Sequence, residues 1–96
     1  MATLINDPAR GEAVTLILAE LDRAESIHPN YLRADAVRRV ALVIEEAGEA
    51  MQAALDLTRD SATMGEQEEA ADRLFNETIQ AGAMCVKLIS EVLRGR

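Results

Sequence analysis

Between Asp35 and Arg59 apolar residues recur at helical spacing on two sides of one segment, and a carboxylate sits in the second side. At about 100° per residue, Val37, Val40, Ala41, Ile44, Gly48, Met51, Leu55 and Thr58 share one stripe, which reads as a core seam. Arg38, Glu45, Gln52 and Asp56 fall roughly 100° away and form a solvated face. Glu46 joins neither. Its neighbours on the wheel are Leu42, Val43, Ala50, Ala53 and Leu57, a second apolar face. Desolvating an unpaired carboxylate costs several kcal/mol or forces its protonation, so Glu46 requires a partner. Glu49, three residues on, points to the same edge.

The 96 residues suit one domain spanning 1–96, and with a single Tyr, a single Phe and abundant Ala, Leu and Glu the chain reads as all-α. A net charge of −7 with no basic run argues against a nucleic-acid polymer as partner. It does not argue against a small nucleotide, whose charge a metal ion can screen. One cysteine, Cys85, falls on an apolar face, which gives no internal disulfide and suggests a reducing compartment. With no signal-peptide pattern and no membrane-length apolar run, the expectation is a soluble cytoplasmic protein without a membrane partner.

Residues 1–6 are expected to be disordered. Asp7 and Pro8 make an N-cap and a first helical position for a helix over about 8–26, with Val14, Ile17, Leu18, Leu21 and Ala24 as its buried stripe. His28–Pro29 breaks it, and the lone histidine reads as a loop residue rather than a ligand. The second helix, capped by Asn30 or Asp35, is expected over about 33–59, and the third over about 64–93, opened by a capping box between Thr63 and Glu66. The stripe Ala71, Leu74, Phe75, Thr78, Gly82, Cys85, Ile89 and Val92 reads as the third helix's core. Gln80 and Lys87 fall on its solvated side.

The loop Asp60–Thr63 is so short that the second and third helices must pack as a long antiparallel hairpin. In a hairpin turning near Ser61, residues whose numbers sum to about 123 face each other. Glu77, which falls among Ala70, Ala81, Met84 and Leu88, stands at the height of Glu46 by that rule. Two misplaced carboxylates on different helices therefore meet. Oxygen ligands converging from two helices suit Mg²⁺ or Mn²⁺, and with His28 and Cys85 both remote, zinc is disfavoured. The competing explanation is pairing of Glu46 and Glu77 with arginines such as Arg23, Arg33 or Arg39.

Glu45–Glu46–Ala47–Gly48–Glu49, followed by an acidic motif on the next helix, resembles the MazG-like all-α nucleoside triphosphate pyrophosphohydrolases, whose pattern is EExxE and then ExxD. The resemblance covers roughly Asp35 to Leu93. Glu69–Ala70–Ala71–Asp72 matches ExxD literally but lies on the solvated face, about 12 Å from the level of Glu46. Glu77–Thr78–Ile79–Gln80 matches only as ExxQ, yet stands at the right height. The resemblance so implies metal ligands at Glu46, Glu49, Glu77 and Gln80, with Glu45 as a group beside the ligands or a water-orienting base. Lys87 and Arg38 become candidate phosphate contacts, and the substrate a nucleoside triphosphate cut to monophosphate and pyrophosphate. The departure is Gln80, where an Asp would stand. A non-catalytic helical interaction module with a degenerate metal site is the alternative.

The two apolar sides of the second helix lead to one more expectation. The third helix can cover one side and the first helix only part of the other, so a homodimer or homotetramer should complete the bundle. MazG-like domains imply the same. Twofold assembly is expected to bring the acidic site close to the subunit interface.

Overall fold

The computed structural model describes residues 7–27 and 36–94. These form three α-helices and no strand: α1 (Pro8–Ile27), α2 (Ala36–Thr58) and α3 (Met64–Arg94). All three expected helices are present, with ends within about three residues of the expected ones. The proposed caps Asn30 and Asp35, and with them His28, Tyr31, Arg33 and residues 1–6, lie outside the described residues.

The helix starts follow from side-chain chemistry. Asp7 accepts at Oδ1 from the backbone N–H of Ala9 at 2.9 Å and of Arg10 at 3.4 Å, satisfying two donors that the first turn of α1 leaves open. At α3 the capping box closes both ways. Thr63 Oγ1 accepts from the Glu66 N–H at 3.2 Å, and Glu66 Oε1 accepts from the Thr63 N–H at 3.1 Å. Arg59 clamps the same turn through Glu66 at 2.7 Å.

The connection between α2 and α3 is short, and the two helices pack along each other as an antiparallel pair. Their contact is built on small side chains. Ala53 and Ala70, whose numbers satisfy the 123 rule, are both fully buried, as is Ala83. The inner face of α2 is therefore the one that carries Leu42, Val43, Glu46, Ala50, Ala53 and Leu57, each buried or half-buried. Helix α1 packs on α3, where Gly82 lets it come close: a Cβ added at Gly82 would stand 3.0 Å from Ile17 Cδ1. Arg39 of α2 ties to Glu91 near the end of α3 at 3.2 Å, both half-buried.

The three apolar stripes read as buried are corrected by this packing. On α2, Val37 is 81% exposed, Ile44 65% and Met51 61%, and Val40, Ala41, Gly48, Leu55 and Thr58 are exposed with them. On α3, Ala71, Phe75, Thr78, Cys85, Ile89 and Val92 are exposed, whereas Leu74 and Gly82 are half-buried. On α1, Val14 and Leu18 are exposed, and Ile17, Leu21 and Ala24 are half-buried. The physical reason is geometric. A helix pair buries one face of each member, the face rich in alanine permits the closer approach, and α1 covers α3 rather than the far side of α2. Lys87 is a correction of the opposite kind: assigned to the solvated side, it is 3% exposed.

Candidate metal centre

Glu46 and Glu77 occupy facing positions half-way along the α2–α3 pair, held there by the same register that sets Ala53 against Ala70 one to two turns away. Glu49 follows Glu46 by three residues and reaches in from the rim. One carboxylate oxygen from each of Glu46, Glu49 and Glu77 can be chosen so that all lie within 4.8 Å of one another. Among the described residues this is the one group of three or more His, Cys, Asp or Glu side chains with that geometry.

Oε2 of Glu46 and Oε2 of Glu77 are both buried and have no hydrogen-bond partner. The contact with Glu77, first by hydrogen bond and then by charge repulsion, holds the Glu49 carboxyl above the ordinary range, while a hydrogen bond from Glu46 works the other way. Of the arginines considered as partners, Arg39 pairs with Glu91 and Arg23 with Glu20, and Arg33 lies outside the described residues. Buried carboxylate oxygens left without donors are the arrangement that a hard cation satisfies. An octahedral Mg²⁺ at about 2.1 Å from its ligands spaces neighbouring oxygens about 3 Å apart and opposite ones about 4.2 Å.

The structure brings together three of the expected ligands, Glu46, Glu49 and Glu77. Gln80 is half-buried one turn beyond Glu77, on the same side of α3. Glu45 is exposed beside the cluster. Arg38 is exposed and lies eight residues, about 12 Å of helix, before Glu46; Lys87 lies ten residues, about 15 Å, beyond Glu77. Lys87 instead lines a small cavity with Arg39, Met84 and Leu88. The literal ExxD pair is elsewhere: Glu69 and Asp72 are exposed, and Glu69 borders a surface hollow with Asp56, Arg59, Glu66 and Arg73.

No family model, no curated protein and no solved structure matches this chain. Its chemistry is read from these side chains alone.

One contact went unread in the sequence. The Arg39–Glu91 tie was legible only as a position: Arg39 lies two turns before Glu46 and so on the inner face of α2.

Proposed function

We propose that this chain is a MazG-like, Mg²⁺- or Mn²⁺-dependent pyrophosphohydrolase that converts a nucleoside triphosphate to its monophosphate and pyrophosphate in the cytoplasm, as a homodimer or homotetramer. The observation that carries the reading is the convergence of Glu46, Glu49 and Glu77, with two buried oxygens left unpartnered. The pairing of Glu45–Glu49 as EExxE with Glu77–Gln80 as ExxQ on the facing helix supports it.

Glu46, Glu49 and Glu77 would hold the ion, with the Gln80 amide oxygen as a neutral fourth donor. When bound, the ion supplies charge neutralisation for the phosphate oxygens. Glu45, exposed and next to Glu46 in the chain, would accept the proton of the attacking water as its oxygen bonds to phosphorus and the α–β anhydride P–O bond breaks. Arg38 lies exposed farther along α2 and is the remaining candidate for a phosphate contact, since Lys87 is buried against Arg39, Met84 and Leu88.

A second reading has its own support. Gln80 removes one negative charge from the expected ligand set, and the seam of α2 is open, which suits a non-catalytic interaction module with a degenerate site. Titration calorimetry with Mg²⁺ and Mn²⁺, followed by a pyrophosphate-release screen over the common nucleoside triphosphates, separates the two. Binding that is lost in Glu46→Gln, with release from at least one triphosphate, supports the enzyme. Absence of metal binding in the native chain sinks it.

A further inference from the structure

At the end of the α2–α3 pair away from its turn, the hairpin register brings Arg39 and Lys87 to nearly the same height. Both are drawn inward: the Arg39 side chain is 14% exposed and Lys87 3%. With Met84 and Leu88 they line a cavity of about 10 Å³. That is close to the space one water needs. Glu91, one turn beyond Lys87, accepts from Nη1 of Arg39 at 3.2 Å and pairs with Arg94 at 3.7 Å. The Nε–H of Arg39 is buried and has no hydrogen-bond partner among the described residues.

The chemistry of the lining decides what fills the cavity. Arginine and lysine side chains donate and do not accept, leucine does neither, and the Met84 thioether is a weak acceptor. The backbone carbonyls of all four residues lie inside α2 or α3, where N–H groups four residues on bond to them. A water here would accept from Arg39 but carry two hydrogens with no good acceptor, whereas a buried water makes about three hydrogen bonds. An anion accepts and has nothing to donate, and it offsets the desolvation of the buried cations around it. The cavity is too small for phosphate, which leaves a monatomic ion.

We infer that Arg39 and Lys87 hold a chloride ion between α2 and α3, with the Nε–H of Arg39 donating to it. The site lies seven residues, about 10 Å of helix, before Glu46 and is separate from the acidic cluster. The ion joins one residue of each helix at the end opposite the turn. Its binding therefore favours the packed pair that sets Glu46 against Glu77, and it stands whether or not the cluster takes a metal.

Thermal melts of the full chain in sodium chloride and in sodium gluconate, at equal ionic strength and without divalent ions, test the site in native protein, Lys87→Met and Arg94→Gln. Methionine keeps the length of the side chain among apolar neighbours and is a good helix former, and circular dichroism verifies the fold. A ligand at ten times its dissociation constant raises the folding constant about elevenfold. The expected result is a Tm that climbs with chloride in native protein and in Arg94→Gln, whose side chain lies outside the cavity, and is the same in both salts for Lys87→Met. Crystals of native protein soaked in bromide should show an anomalous peak within hydrogen-bonding distance of Arg39 Nε. A native Tm that is equal in the two salts overturns the site and assigns the cavity to water. A chloride response retained in Lys87→Met, or bromide found only elsewhere, overturns its location.

Discussion

Replacing Glu77 with Gln should make the metal-free protein more stable and remove its response to Mg²⁺. Glu77 and Glu46 can present oxygens within 4.8 Å of each other. At that distance two like charges repel by about 0.9 kcal/mol in a water-like medium and about 3.5 kcal/mol at the effective dielectric of a protein surface. Both residues are half-buried beside an exposed Glu49, so the lower end applies, about 1 kcal/mol. The Gln amide also brings N–H donors to neighbouring carboxylates that lack them. For a domain of this size 1 kcal/mol corresponds to a rise in Tm of about 4–8 °C. In native protein, 10 mM Mg²⁺ at a dissociation constant of about 1 mM adds about 1.4 kcal/mol, and in Glu77→Gln close to nothing. Calorimetric melts at one fixed chain concentration, with EDTA or with Mg²⁺, measure both effects, and Asp72→Asn serves as the exposed control. A Glu77→Gln protein that melts lower than native in EDTA would refute the reasoning. Such a result would mean that Glu77 has a cationic partner and that the cluster is structural.

Two further outcomes are expected. Because contact with Glu77 raises the Glu49 carboxyl above its ordinary value of 4.5, its contribution to stability is complete below that value and is lost as pH rises through the raised one. The metal-free Tm of Glu49→Gln should therefore pull ahead of native as pH rises from below 4.5 through the raised value. Asp56, held low by Arg73, and Glu66, held low by Thr63, act in the opposite direction but cancel in that comparison, and a constant gap would count against the clustering. At the turn, Thr63→Ala breaks one half of the capping box and should lower stability by about 1 kcal/mol, read as a lower urea midpoint.

The helices were legible because their signals are local. Asp7–Pro8 and the Thr63–Glu66 box lie within one turn of the ends they fix, and the structure uses both. The hairpin register was legible for a related reason. A short loop leaves no slack, so one sum places Ala53 against Ala70 and Glu46 against Glu77. What could not be read was which apolar side of α2 turns inward. Periodicity marks both sides equally, and the choice depends on alanines that let two helices come close, a property of the pair. The longest hydrophobic stripe reads as core by its period, and it is the outer surface of the single chain. Lys87 failed for the same reason, since its burial comes from tertiary packing that no wheel contains.

Gln80 is where the two functional readings diverge, and it can be made to decide between them. It is half-buried one turn beyond Glu77, so a carboxylate there would join the three already present. Gln80→Glu keeps the reach of the side chain and changes only charge and donor type; Gln80→Asp supplies the residue of the ExxD pattern. A fourth charge raises repulsion in the metal-free protein, so both variants should melt lower than native in EDTA. An added anionic ligand should tighten Mg²⁺ binding by about tenfold, equivalent to about 1.4 kcal/mol. The two shifts have opposite signs, and a side chain outside the ligand set produces neither. If Gln80 is a weak but functional ligand, pyrophosphate release persists in native protein and rises in the variants. If the native site is degenerate, release appears only once the charge is restored. Mg²⁺ affinity unchanged in both variants would remove Gln80 from the site and reduce it to Glu46, Glu49 and Glu77.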